Sequence, residues 1–350
     1  MRPILVLMCL CLPFAAGSAG SDANQIYDAA NARYHAAIDG KRAEQIDPSA
    51  VIAAADGAER ARALGSVHAP NLLYLIYSRG AGIPGVPERA LAYLREGVAR
   101  GDDGAKSNYA LMLYRGGPGL PRDRDLAVKY LVELNRGKLV VPEVRYYLGV
   151  ATFRGEGGLR KNAPEAMRLI RLAADQGDAD AQRDMGKNFE FGWNGTEDLH
   201  RALEWYQLAA ERGDGEAQWR IGMAYVNGEE RDADAAQAVE WFRKAADSGS
   251  TQGMTSLAVM YATGDGVKQD WDRARELYEE AAEGGEAHAL LNLSGMYLRG
   301  EGVETDPVHG FVLLSQAATG GDAQAQKLLP LVQKELTDEQ LAEARRRLRN

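Results

Sequence analysis

Apolar residues occur at helical spacing in two stripes, separated by polar turns, through the C-terminal half of the chain. In the segment from Ala217 to Gly249 the two stripes consist of Ala217, Ile221, Gly222 and Tyr225, and then of Ala238, Trp241, Phe242, Ala245 and Ala246. Spacings of three and four residues place each stripe on one face of a helix. The segment therefore predicts a helix, a Gly/Asp/Glu-rich turn and an antiparallel second helix.

This unit recurs at a fixed interval of 36 residues. An Ala-Ala pair followed three residues later by Gly closes five successive copies, whose glycines are Gly177, Gly213, Gly249, Gly285 and Gly321. A glycine suits the left-handed position after a helix C-terminus, and small residues let two crossing helices approach closely. The fixed period predicts an array in which each copy buries its apolar face on the next copy.

The copies resemble Sel-1-like repeats, which are relatives of the tetratricopeptide repeat. The resemblance rests on segments such as IGMAYVNGEERDADAAQAVEWFRKAADSGS and LAVMYATGDGVKQDWDRARELYEEAAEGGEAHA, and it covers residues 69–328 in about seven copies. It implies an all-α fold, a right-handed α-solenoid of helix-turn-helix repeats with helical caps at both ends. It also implies an interaction scaffold of the exported bacterial type.

The boundaries of the array follow from the register of its first helices. Copies begin near Ala69, Ala105, Val144, Ala181, Ala217, Gly253 and Ala289, and the longer second step, from Ala105 to Val144, predicts an irregular joint at residues 135–143. Residues 22–68 are expected to form an N-terminal helical cap, and residues 329–350 a C-terminal capping helix. Pro330 is expected to interrupt the preceding helix, and Thr337 and Gln340 offer a capping box for the last one.

The first 19 residues predict a cleaved signal peptide, because Arg2 precedes a short apolar stretch and a cluster of small residues. The mature chain would then be periplasmic or secreted, with no membrane insertion. Both cysteines, Cys9 and Cys11, lie inside the signal. The formal charge of −9 argues against nucleic acid as a partner.

No catalytic, cofactor-binding or metal-binding motif is predicted. Gly80, Gly82 and Gly85 match G-x-G-x-x-G, but they fill a turn between two predicted helices, whereas a dinucleotide loop follows a strand. The five histidines are dispersed singly, and no serine stands in G-x-S-x-G or S-x-x-K. Cysteine-rich members of the resembled family are linked to β-lactams, but their paired cysteines are absent from this chain.

Side chains that depart from the repeat are the candidates for binding a partner protein. Large or charged residues at positions that line the inner surface of the tetratricopeptide fold are Trp219, Tyr146, Arg183, Lys187, Met223, Tyr114 and Phe153. Aromatic and Arg side chains commonly anchor interfaces. Tyr114 and Phe153 could equally pack on a neighbouring helix. Trp193, in an atypical turn, could either fold back over the helix ends or be presented to a partner.

Two functions from different classes are compatible with these residues. The first is a scaffold whose concave face binds another protein through Trp219, Tyr146 and Arg183; the partner would be an envelope sensor, an envelope assembly or a secreted effector neutralised by an immunity protein. On this hypothesis Trp219→Ala weakens capture by about 2 kcal/mol or more without changing the melting. The alternative is a hydrolase or binder of cell-wall or β-lactam compounds, for which no nucleophile and base are visible.

Overall fold

The computed structural model describes residues 22–39, 45–80, 84–137, 140–193, 195, 197–230 and 232–349. Within these ranges the chain forms 18 α-helices and no β-strand, apart from one isolated bridge between Gly117 and Leu120. The prediction of an all-α fold is confirmed. The predicted signal peptide lies outside the described residues, and so do residues 138 and 139 of the predicted joint.

The first compact unit is Met1–Gln176. Its helices are α1 (Asp22–Ile38), α2 (Pro48–Ala63), α3 (Ala69–Arg79), α4 (Pro87–Ala99), α5 (Asp103–Arg115), α6 (Arg124–Asn135), α7 (Pro142–Arg154) and α8 (Ala163–Asp175). Within the unit each helix packs against the next one in the chain. The core of the first four helices is centred on Tyr34, Leu72, Leu73 and Leu94, all of which are fully buried.

The second compact unit is Gly177–Asn350. Its helices are α9 (Ala179–Glu190), α10 (Leu199–Glu211), α11 (Gly215–Asn227), α12 (Ala235–Asp247), α13 (Thr251–Thr263), α14 (Trp271–Glu283), α15 (Ala287–Arg299), α16 (Pro307–Thr319), α17 (Ala323–Glu335) and α18 (Asp338–Arg347). Four helix pairs, from α9·α10 to α15·α16, stack in sequence. In each pair the two helices pack on one another, and α11, α13 and α15 also pack on the second helix of the preceding copy. The predicted solenoid of helix pairs is thus confirmed.

Small residues occur where the two helices of a pair cross. A Cβ atom added to Gly222 of α11 would lie 2.5 Å from Cε1 of Phe242 on α12, and one added to Gly186 of α9 would lie 2.5 Å from Cε1 of Tyr206 on α10. Both rings are fully buried. The glycines therefore allow an aromatic ring to lie directly on the opposing backbone.

The closing glycines adopt the predicted left-handed conformation. Their φ angles are between 81° and 93° at Gly177, Gly213, Gly249, Gly285 and Gly321. At Gly249 no atom lies within 4 Å of an added Cβ. The requirement for glycine at that position is one of backbone conformation and not of space.

Several acidic residues in the turns between successive copies act as helix caps. The carboxylates of Asp178, Asp214 and Asp322 accept hydrogen bonds of 2.7 to 2.8 Å from the amides of Ala181, Ala217 and Ala325. Such a bond satisfies one of the amides that a helix N-terminus leaves unpaired. The repetition of these acidic residues in the sequence is therefore largely structural.

Glu286 departs from this pattern, because its side chain does not cap α15. It accepts only a 3.3 Å hydrogen bond from Oγ1 of Thr251. Replacing it with the shorter Asp is expected to restore the cap and raise the free energy of unfolding by about 0.5 to 1 kcal/mol, measured by urea unfolding. The reverse change, Asp322→Glu, is the matched control and should lower stability by a similar amount. If Glu286→Asp leaves the free energy of unfolding unchanged, the hydrogen bond from Thr251 already compensates for the missing cap.

The C-terminal end differs from the predicted one in one respect. Pro330 lies inside α17, so the expectation that it interrupts the helix is wrong. The predicted capping box of Thr337 and Gln340 is confirmed at the start of α18. α18 packs on α16 through a small core of Phe311, Val312, Leu336 and Ala344. No described helix combines the length and apolar character needed to cross a membrane.

Candidate functional site

The predicted partner-binding residues of the first unit differ in their accessibility. Tyr114 and Tyr146 are buried, whereas the Phe153 side chain is 58% exposed. The Tyr114 hydroxyl donates a 2.5 Å hydrogen bond to Oε2 of Glu156, and its ring packs against Tyr147. Burial and the neighbouring Glu156 carboxylate raise the pKa of Tyr114 well above its ordinary value. Of the three residues, only Phe153 presents a large surface.

Arg183 and Lys187, on α9, are held by carboxylates at the start of α11. Nη1 of Arg183 lies 2.8 Å from Oδ2 of Asp214, and Nζ of Lys187 lies 2.8 Å from Oε1 of Glu216. Arg183 also pairs with Asp180 at 2.7 Å. These contacts join two successive copies. Both cations therefore contribute to the stacking of repeats.

Trp219 and Met223, on α11, pack in part against the core of the following copies. The indole Nε1 of Trp219 donates a 2.9 Å hydrogen bond to Oγ of Ser256 on α13. Truncating Trp219 would remove this contact between copies. For this reason we now expect Trp219→Ala to lower the melting temperature as well as any affinity for a partner.

Trp193 is the most exposed aromatic side chain of the predicted set. Its indole is 61% exposed and stacks on the Phe191 ring, which is 45% exposed, with a centroid distance of 5.6 Å and an interplanar angle of 23°. The turn is fixed by a 3.2 Å hydrogen bond from the Trp193 amide to the Asn188 carbonyl and by Gly192 at a φ of 60°. The Trp193 side chain is thus largely exposed, and its contact with a partner stays a prediction.

Arg220 connects this pair of rings with the rest of α11. Its guanidinium Cζ lies 5.5 Å from the Phe191 ring centroid and 4.8 Å from that of Trp219. Its Nη1 also lies 2.6 Å from Oε1 of Glu190. Trp193, Phe191, Arg220 and Trp219 thus form one continuous aromatic-cationic surface on the second unit, hereafter the aromatic surface.

Sequence reasoning did not select Phe191 or Arg220. Phe191 is noticeable in the sequence because it precedes the turn glycine, Gly192, at the position that Asn227, Thr263 and Arg299 occupy in the following copies. No comparable signal exists for Arg220, which lies next to Trp219 on α11. Its position between the two rings depends on the stacking of α9 against α11.

The first unit also contains an apolar pocket of about 280 Å³. The polar side chains in its lining are Tyr74, Tyr77, Ser78, Asn108 and Arg115, and no acidic or histidine side chain is among the residues that line it. Oγ of Ser78 donates a 3.3 Å hydrogen bond to the Leu75 carbonyl. The described part of the chain likewise contains no cluster of three or more His, Cys, Asp or Glu arranged to hold a metal ion.

Seven segments match the sequence model of the Sel1 repeat, namely residues 64–102, 105–132, 142–178, 179–214, 215–250, 251–286 and 287–322. The chain belongs to the Sel1 repeat family. The aromatic surface lies on the fourth and fifth of these Sel1 repeats, and the predicted resemblance and its seven copies are confirmed. No match was found among curated proteins.

Several solved structures are similar to these Sel1 repeats. A Sel1 repeat protein from Oxalobacter formigenes is 28% identical, with a TM-score of 0.57 over 64% of this chain and 86% of the other. A protective antigen present in uropathogenic Escherichia coli is 22% identical, with a TM-score of 0.39 over 92% and 82%. An immunity protein from Pseudomonas aeruginosa is 17% identical, with a TM-score of 0.40 over 68% and 86%. The last two likenesses concern the fold alone.

Proposed function

We propose that this protein is an exported scaffold that binds another protein through the Sel1 repeats of its second unit. The partner would contact the first helices of the repeats and the adjoining turn at Phe191. Sel1 repeats generally serve protein–protein interaction, and the predicted signal peptide would direct the chain to the periplasm or out of the cell. An envelope sensor, an envelope assembly and a secreted effector are the three partner classes considered.

The observation that carries this proposal is the exposure of two stacked aromatic rings just after the end of α9. Exposed aromatic side chains beside an Arg are typical anchors of interfaces, because a partner can desolvate a large rigid surface at little entropic cost. The Arg220 guanidinium packs on the ring of Phe191, the less exposed ring of the pair, so Phe191 and Trp193 are already arranged for contact with a partner. The corresponding turns of the neighbouring repeats have no aromatic residue.

The test is capture of a partner from the envelope fraction with the wild-type chain and with Trp193→Ser. We expect the amount of the specifically captured protein to fall by at least about tenfold, since anchor residues contribute on the order of 2 kcal/mol or more. Stability should change little, because most of the indole is exposed.

The matched control is Leu208→Ser, which removes an equally apolar side chain that is 44% exposed on α10 of the same unit. It should leave capture unchanged. Equal capture by wild type and Trp193→Ser would exclude the aromatic surface as the binding site.

A further inference from the structure

The two units of the chain carry opposite formal charges. Residues 1–176 have 23 basic and 18 acidic side chains, whereas residues 177–350 have 18 basic and 32 acidic ones. The formal charge of the second unit is therefore −14, even though it includes the Arg-rich C-terminus. The aromatic surface belongs to this acidic unit.

Much of the excess of acidic residues in the second unit lies in the turns between the first and second helices of the repeats. The four turns of the second unit, 191–198, 228–234, 264–270 and 300–306, contain 11 acidic and 2 basic residues. We refer to them as the acidic turns. The corresponding turns of the first unit, 80–86, 116–123 and 155–162, contain 2 acidic and 3 basic residues. The excess of negative charge is thus concentrated in the acidic turns of the second unit.

The acidic turns adjoin one another along the stack. A Cβ added to Gly266 would meet the backbone of Ala235, and one added to Gly302 would meet the Trp271 side chain, so each turn lies against the start of the second helix of the preceding copy. Nδ1 of His200, at the start of α10, likewise lies 4.0 Å from Oε2 of Glu230. A row of carboxylates consequently runs from the turn that carries Trp193 to the end of α15.

Part of this charge is not used by the helices. Asp198, Asp234, Asp270 and Asp306 cap α10, α12, α14 and α16. The remaining acidic residues of the turns do not cap these helices, and five of them are exposed: Glu197, Glu230, Asp232, Asp265 and Glu304.

Glu230 is also held in a costly conformation. Among the described residues it is the one non-glycine residue with a positive φ, at 54°. This left-handed region favours glycine, and residues kept there against that preference cluster at binding sites. Glycine at this position would relieve the strain but remove a carboxylate from the acidic turns.

We infer that the partner presents a basic, Lys- or Arg-rich protein segment that lies along the acidic turns and places one cation over Trp193. The inference rests on the proposed function and specifies its partner. Arg220 already makes such a cation–π contact with the inner ring of the stacked pair, and the outer ring offers the same chemistry to an incoming cation. Complementary charge along the row would speed association and select against acidic partners.

The test uses two labelled peptides, one of alternating Arg and Ser and one of alternating Glu and Ser, with the full mature chain in a fluorescence anisotropy titration at physiological salt. We expect the Arg peptide to bind and the Glu peptide not to bind. Trp193→Ser and the double variant Glu230→Gln/Asp232→Asn should each weaken binding of the Arg peptide by about tenfold, and the double variant should also reduce its salt dependence. Leu208→Ser is the control and should bind like wild type.

Two outcomes would overturn the inference: binding of the Glu peptide as tight as that of the Arg peptide, or an Arg-peptide affinity unaffected by both sets of substitutions. Circular dichroism of each variant establishes that it is folded. If Trp193→Ser abolishes capture of a protein partner while the Arg peptide does not bind, the proposed function stands and this inference fails. If capture is insensitive to Trp193, the proposed function fails at this site.

Discussion

Replacing Gly222 by Ala is expected to lower the free energy of unfolding by about 2 kcal/mol. The added Cβ would lie 2.5 Å from Cε1 and 2.6 Å from Cδ1 of Phe242, whose ring is buried and cannot move away without displacing α12. Overpacking of a dense core costs about 1 to 3 kcal/mol or more, and the gain in helix propensity returns up to about 1 kcal/mol. Urea unfolding of the full chain, followed by circular dichroism, measures the difference.

Two further variants separate the steric cause from other effects. Gly222→Ala combined with Phe242→Leu should lose less stability than the two single changes added together, because the smaller side chain makes room for the new methyl group. Gly249→Ala, at a φ of 81° with no atom near the added Cβ, should cost about 1 kcal/mol through the backbone alone. Phe242→Leu should not reduce the loss of stability caused by Gly249→Ala. Strictly additive losses for Gly222 and Phe242 would contradict the steric explanation.

These features of the fold were predictable from the sequence because their causes are local or are repeated in every copy. The spacing of Ile221, Gly222 and Tyr225 determines one face of a helix, and the fixed interval to Phe242 places the opposing ring. Gly249 and its equivalents mark helix ends through their own backbone requirement. Because the same pattern occurs in seven copies, each of these predictions is much more specific than one made from a single helix.

The path of the chain at Pro330 was not predictable in the same way. A proline lacks one helical hydrogen bond, which favours an interruption. In α17, however, Leu328, Leu329 and Val332 on both sides of Pro330 pack on small cores shared with α16. Tertiary packing therefore maintains the helix against its local preference.

The candidate site was predictable only in part. The departure of the turn at Trp193 from the repeat indicated an unusual surface, and Trp193 is indeed largely exposed. The binding of a partner there stays a prediction. The burial of Tyr146 and the hydrogen bond of Trp219 depend on which neighbouring side chains reach them, and helical periodicity does not specify this. The same limit applies to Arg183, which was selected as an anchor from its residue type and its position in the repeat.

Replacing Arg183 by Met is expected to destabilise the chain by about 3 kcal/mol near neutral pH. The Arg183 and Asp214 side chains are 17% and 10% exposed, and removing one partner of a buried ion pair leaves the other charge uncompensated. Burial already raises the pKa of Asp214, and the Arg183 charge opposes that rise. Without Arg183 the pKa of Asp214 should rise further, which NMR titration of its carboxylate would show.

The sign of the pH dependence follows from that shift. The folded-state pKa of Asp214 lies above its unfolded-state pKa. The proton that Asp214 binds therefore adds its full contribution to the free energy of unfolding below the unfolded-state pKa, and this contribution is lost as the pH rises through the folded-state pKa. The loss caused by Arg183→Met should therefore be largest at neutral pH and smaller at about pH 4, near the ordinary pKa of an Asp, because protonation of Asp214 removes the charge that Arg183 neutralises. Arg183 also faces the carboxylates of Asp180, Asp184 and Glu216, and Lys187 shares Glu216 with it. These four residues are kept as in the wild type when the Arg183→Met variant is compared with it.

Arg243→Met is the matched control, because Arg243 is 40% exposed and pairs with an exposed Glu240 on α12. Exposed pairs contribute at most about 1 kcal/mol, so this variant should be nearly as stable as wild type at both pH values. A loss for Arg183→Met no larger than that of Arg243→Met, or one independent of pH, would show that the pair with Asp214 is not structural. If the expected loss is found, reduced partner capture by an Arg183 variant reflects disturbed stacking of α9 on α11, and only variants of Trp193 report on the interface itself.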